Sequence, residues 1–519
     1  MMKKILALAL LATIGCGTNY KTAEKKAVKN LDPVPYANTI TEAELKTHLY
    51  TYASDEFEGR NTGEPGQKKA VAYLRDEYKN LAIPAAQQNG DYFQNVPLQK
   101  GGDLDGELTI NGTTFTFGED FLAFSPQANG TTDITEIVYV GFGIDDEKYS
   151  DYKNVDVEGK IVLFKIGEPM QEDGTYLISG TDENSRWGNR FRGAAAKITA
   201  AKEHKAKGAF FFAGETFSMY KAQLAYMKQN SRVSLKEEKN PFFYYVINEN
   251  IASKMHSKIA ESDEASSIQL AGTLVNKDKT NDVASENVVA IIKGNEKPEE
   301  YIVISAHLDH EGVKNGEIYN GADDDGSGTV AILEIAEAFK QAQKDGNGPK
   351  RSIVFLHVTG EEKGLLGSKY YTDNPIFPLE NTVSNLNIDM IGRIDPKRTE
   401  GDRNYVYLIG SDKLSSELHN VSEEVNKKYT NIELDYKYND ENDPNRYYYR
   451  SDHYNFAKNN VPVIFYFNGT HDDYHKPSDT PDKINYDLLT NRARLVFYTA
   501  WELANRDERV KLDSDIETK

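Results

Sequence analysis

The stretch YIVISAHLDHEGVKNGEIYNGADDDGSGTVAILEIAEAFK, Tyr301 to Lys340, decides how the chain is read. It opens on a short apolar run, Tyr301–Ala306, whose length and β-branched content predict a buried strand. It runs into a helix expected over Ser327–Lys344, where Ile332, Ile335 and Phe339 share one face. Between them lie two polar strings, SAHLDHEG and GADDDGSG. The alternation recurs downstream, with strands expected at Ser352–Val358, Leu386–Asp389 and Val461–Phe467 and a helix at Tyr486–Asn505. Such alternation predicts an α/β/α sandwich around a mostly parallel central sheet.

Upstream of this block the texture differs. EIVYVGFGI (Glu136–Ile144) and GKIVLFKIG (Gly159–Gly167) read as buried strands, and a helix-like run over Ala194–Gly208 leads into the apolar strand Ala209–Phe212. This is a smaller unit with its own β and α elements and no catalytic cluster, closed by a polar linker at Asn276–Asn281. Before it, helices are expected from Thr41 and over Gln67–Leu81, with SDEFEGR (Ser54–Arg60) between them. Asn111-Gly112 predicts a hairpin joining Glu107–Ile110 to Thr113–Phe117.

At the start, Lys3 and Lys4 precede the apolar run Ile5–Ile14, which is too short to span a bilayer. Positive end, apolar stretch and the small Gly15 are the order of a secretory signal. Cys16 is the only cysteine, so no intramolecular disulfide can form. The segment resembles a bacterial lipoprotein signal, in which the cysteine after the cut is lipidated, although Thr13 stands where leucine is commoner. Thr18–Tyr36 then reads as a polar tether. A formal charge of −20 argues against a nucleic-acid binder, which carries a basic face.

The chemistry-bearing residues sit at the ends of the expected strands. His307 and Asp309 follow the first, Asp323, Asp324 and Asp325 precede the helix, and Glu361 and Glu362 follow the second strand. Asp389 ends the third, and His475 lies in DDYHKPSDT after the fourth. Loops at the carboxyl ends of parallel strands converge, so one pocket can gather all of these. Carboxylates and imidazoles without thiolates suit zinc, manganese or cobalt. Several carboxylates in one pocket repel unless cations are present, so the acidic set itself argues for metal. It is no EF-hand, because the spaced acids and closing Glu are missing, and no phosphate loop, because GK[ST] is missing.

SAHLDH, GADDDGSG, EEKGLLGS, NIDMIG and YHKPSDT, in this order, resemble peptidase family M28. The likeness runs from about Thr41 to Asn505, and EIVYVGFGI with VEGKIVLFKIG resembles a protease-associated (PA) domain inserted in members of that family. With the signal peptide at 1–15 and the lipidated tether at 16–38 expected from the start of the chain, it implies a zinc peptidase domain of 39–118 and 276–510 and a smaller β-rich PA domain at 119–275. It implies two Zn2+ per chain: His307 and Asp389 on one, Glu362 and His475 on the other, and Asp324 bridging. It further implies that Glu361 is the general base and that Tyr474 stabilises the tetrahedral intermediate. The same likeness implies that Asp309 orients His307 and that peptides are the substrates. Membrane contact is expected through Cys16 only, in the periplasm or at the cell surface.

Removal of amino-terminal residues is the activity expected. Arg393, Arg446 and Arg450 are candidate clamps for a carboxypeptidase instead. A one-zinc glutaminyl-cyclase-like enzyme or a non-catalytic binding protein on the same scaffold are the readings from other classes. RSDH (Arg450–His453) either lines the pocket or starts a helix with His453 exposed.

Overall fold

The computed structural model describes residues 32–125, 128–189, 192–229, 232–236 and 242–517. The expected signal segment and Cys16 lie outside them. Thr41 caps helix α1, Glu42–Tyr52, its side chain accepting from the Glu44 N–H. Helix α2, Pro65–Asn80, begins on proline, whose missing N–H costs nothing in a first turn. Strand β1, Phe93–Ile110, reverses at Asn111–Gly112, both at positive φ, and pairs back onto Thr113–Thr116. Strands β2 (Gly130–Tyr139), β3 (Ile161–Lys165), β4 (Gly208–Phe212) and β5 (Phe243–Ile247) then pair parallel, each with the next.

Strand β6, Ser266–Ile292, joins that unit to the second part of the chain. Its first half pairs with β2 and its last residues pair antiparallel with β8, Arg351–Val358. Between them come β7 (Lys297–His307) and helix α3 (Gly328–Lys344). After them come β9 (Thr382–Ile388), β10 (Tyr405–Ile409), β11 (Val463–Phe467) and helix α4 (Tyr486–Asn505). β7 lies between β8 and β9, parallel to both, and β11 extends the parallel block beside β9. β6 and β10 flank the block antiparallel.

Side chains of a strand alternate between faces, and here both faces are buried. Ile302, Ile304, Ile353 and Phe355 pack towards α1, α3 and α4. Val303, Val354 and Leu356 face the other way, onto Tyr371 and Phe456. The fold is the α/β/α sandwich that the alternation predicts, with a second mixed α/β unit inserted ahead of it.

Three boundaries differ from expectation. Asn276–Asn281 is the interior of β6, paired with β1 from Gln99↔Asp282 to Gly106↔Asn276, and not a linker. A two-stranded ribbon is held by backbone pairing and needs no apolar face, so its composition resembles a loop. The core of the inserted unit includes Leu108, Ile110 and Phe115, packed with Phe121, Ile137, Leu163 and Phe210, so it reaches back before residue 119. The end of the expected tether is built into the fold: Tyr36 stacks on Trp501 at 5.6 Å and accepts a hydrogen bond from the Asn347 amide.

Candidate metal centre

β7 delivers His307 to the carboxyl edge of the sheet. Its ring Nδ1 donates to the backbone carbonyl of Asp309 at 3.0 Å. Nε2 is thereby turned towards Asp324 Oδ1 at 3.1 Å and Asp389 Oδ1, just past the end of β9, at 3.6 Å. The orienting acceptor is main chain, because the Asp309 carboxylate stands 4.0 Å from Nδ1. That carboxylate accepts instead from the Glu361 N–H (3.1 Å) and from the Thr62 hydroxyl (2.7 Å). Asp309 therefore fixes the loop that carries Glu361 as well as the loop after His307.

The three aspartates before α3 have separate tasks. Asp325 accepts from the N–H groups of Gly328, Met390 and His307, tying α3, β9 and β7 together. Asp323 accepts from the Gly392 N–H and faces His471 Nε2 at 3.2 Å. Asp324 alone lies between the two halves of the site, with Oδ1 towards His307 and Oδ2 at 3.1 Å from His475 Nε2. That same His475 nitrogen is 3.2 Å from Glu362 Oε1. Two groups able to hold an ion therefore share Asp324: His307 with Asp389, and His310 with Glu362.

Burial and charge act strongly here. Burial alone pushes the His307 imidazole down, but Asp324, Asp389 and Glu361 outweigh it and carry the ring well above its ordinary value. Burial raises Glu361 well above the usual carboxylate range, and the carboxylates of Glu362, Asp389 and Asp452 add to it while His307 opposes. Burial and Asp324 also work to raise Glu362, yet facing His310 and His475 holds it low. Burial raises the Tyr474 phenol too, with Asp324, Glu362 and Glu361 adding to the shift. Its ring stacks on His475 at 3.9 Å. A pocket beside these groups is lined by Asp324, Glu361, Asp389, Tyr474 and Arg450, with Met390, Tyr447, Phe465 and Phe467 as its apolar wall.

Several residues at the site carry no role in the sequence reading. Arg60, in SDEFEGR, is buried and donates to the carbonyls of Leu308, Tyr52, Asn320 and Gly321, clamping the His307 loop to the acidic turn. Gly59 ahead of it needs both its positive φ and its missing side chain, since a Cβ would meet the Tyr319 carbonyl at 2.4 Å. Asp479 accepts from the N–H groups of Asp323 and Asp324, holding the latter in place. His453 is not exposed: it is fully buried against Phe465, and burial pushes it down to about 3. Of RSDH, Arg450 and Ser451 line the pocket. Asp452 is buried and accepts from the Ser368 hydroxyl.

Fold and site together define a zinc-dependent hydrolase. The family model described as Peptidase family M28 matches residues 287–500, which span β7 to most of α4 and every residue of the two groups that share Asp324. It is 26% identical over 443 residues to Aminopeptidase YwaD of Bacillus subtilis (strain 168), a match covering 80% of each chain. A protein of Arabidopsis thaliana described as "Probable glutamate carboxypeptidase LAMP1" is 34% identical over 105 residues, 20% of this chain and 14% of that one. Among solved structures, the aminopeptidase from Aneurinibacillus sp. strain AM-1 aligns with 92% of this chain and 98% of its own. Its TM-score is 0.47 and its identity 19%.

Proposed function

We propose that the protein is an exported exopeptidase that removes the amino-terminal residue of peptides, with two zinc ions held by His307, Asp389, Glu362, His475 and a shared Asp324. The observation that carries the reading is Asp324, whose two oxygens face one histidine each. The residues fit such ions. His307 Nε2, Asp324 Oδ2 and Glu362 Oε1 are buried without hydrogen-bond partners, and hard oxygen with borderline nitrogen is a zinc donor set. Bound zinc supplies a Lewis acid for the scissile carbonyl and a water that deprotonates near neutral pH.

The remaining work falls to the chain itself. Glu361 accepts the proton of the attacking water at its carboxylate and passes it to the leaving amine. The Tyr474 hydroxyl, at the pocket wall, donates to the oxygen on which negative charge develops. Arg393 is no free clamp for a carboxylate, because Asp473 holds it at 2.8 Å and Asp479 lies at 3.8 Å. Arg446 stacks on Tyr449 away from this pocket. The match to an aminopeptidase along 80% of both chains supports the same direction.

Arg450 lines the pocket and favours a second reading, a carboxypeptidase with the same metal residues. Metal analysis of the purified chain should give two zincs, and Asp324→Ala should lose both or nearly so. An Asp324→Ala chain that keeps two zincs would overturn the shared ligand.

The reading includes attachment to a membrane through a lipid on Cys16. Among the described residues no helix is long and apolar enough to cross a membrane. Intact mass spectrometry should find acyl chains on the cysteine, and a mature chain without them would refute the anchor.

A further inference from the structure

We infer that His310 is a fourth protein ligand at the Glu362–His475 end of the metal centre, which makes that ion coordinatively closed and leaves the His307–Asp389 ion as the open one. The inference rests on the two-ion reading above and divides its labour.

The geometry carries it. His310 Nδ1 lies 2.9 Å from Glu362 Oε1 and 3.8 Å from Asp324 Oδ2, while His475 Nε2 lies 3.1 and 3.2 Å from Asp324 Oδ2 and Glu362 Oε1. Donors around a tetrahedral zinc at 2.0–2.2 Å stand roughly 3.3–3.6 Å apart, and these separations bracket that spacing. The approach of Nδ1 to Glu362 meets no hydrogen-bond geometry, and both ring nitrogens of this fully buried histidine are without a hydrogen-bond partner. The ring is also held in place. Gly321 has positive φ, and a Cβ there would stand 2.5 Å from Cγ and Cδ2 of His310. On its other side the ring meets His475 edge-on, with centroids 5.7 Å apart.

The pocket supplies an independent observation. Asp324, Asp389 and Glu361 line it, whereas Glu362, His475 and His310 do not. The pocket thus adjoins the His307–Asp389 side, where three protein donors are at hand. Zinc sites that act on substrates keep an open position, and sites filled by four protein ligands hold structure.

The test is zinc affinity by chelator competition on the whole chain, together with the number of imidazoles per zinc from X-ray absorption, for wild type, His310→Ala and His310→Asn. Asparagine keeps a donor near Glu362 but is a poor zinc ligand. We expect both variants to hold one zinc as the wild type does and to lose affinity for the other by more than about 100-fold, beyond the 10–100-fold cost of losing an outer partner. The wild type should show three imidazoles shared over two zincs, and the variants one fewer. If His310→Asn keeps wild-type affinity while His310→Ala loses it, the residue only positions Glu362 and the inference is overturned. Unchanged affinity in both variants overturns it as well. A wild type that holds a single zinc defeats the two-ion reading itself, and this inference with it.

Discussion

Glu361 and Glu362 are neighbours in sequence with opposite surroundings, and the split decides their chemistry. Glu362 faces two imidazoles, whereas Glu361 is buried among other carboxylates and lines the pocket. Glu361→Gln should retain the wild-type zinc content and lower kcat by about 10²–10⁴-fold, the range for a positioned general base. Substantial turnover by the zinc-loaded variant would remove Glu361 from that role. Asp324, Glu362, Asp389 and the two histidines were legible as candidates because each follows a strand or precedes a helix. Arg60 was not, since its partners are backbone carbonyls as far as 261 residues away, and a carbonyl leaves no mark on a sequence. His310 was overlooked for the opposite reason: it stands beside two stronger candidates in SAHLDHEG.

Helix α3 places Ser327 and the acidic turn under the sheet edge, and it carries a buried liability. Glu334 is 1% exposed, and neither carboxylate oxygen has a hydrogen-bond partner. Burial, helped by Glu44 and Glu337, raises it to about 8. His48 lies 3.5 Å away but is itself pushed down by burial, so it brings no cation at neutral pH. The folded state thus prefers the protonated acid. Stability from this group is complete below its unfolded value near 4.5 and drains as pH rises from there to about 8. Glu334→Gln should leave Tm almost unchanged at pH 4.5 and stabilise the chain by roughly 2–4 kcal/mol at pH 8.5. Equal Tm shifts at both pH values would contradict it. The elements themselves were legible where burial wrote a period into them, as on α3. They were not where pairing alone makes the strand, as in the β1/β6 ribbon, nor where a short segment such as Val34–Ala37 is ordered by docking on α3 and α4.

On the scale of the whole molecule, one path of hydrogen-bonded strands runs from the inserted unit through β6 into the parallel block. The order of alternation identified the sandwich and the existence of a second unit. The limits of that unit were harder to read, because Leu108, Ile110 and Phe115 look like any strand residues until the core they join is seen. The site, by contrast, draws its residues from three strand-end loops, one turn and the segment after β11. A single centre built from sequence positions 307 to 475 is possible only because parallel strands deliver all their carboxyl ends to one edge.

The central claim is that this edge holds a metal-dependent exopeptidase that works from the amino end. The most direct measurement is a mass-spectrometric digest of one peptide in three forms, free at both ends, amino-blocked and carboxy-amidated, with and without a chelator. The account predicts residue-by-residue shortening from the amino end, stopped by the amino block, indifferent to the amide and abolished by the chelator. Shortening from the carboxyl end, stopped by the amide and untouched by the amino block, would contradict it.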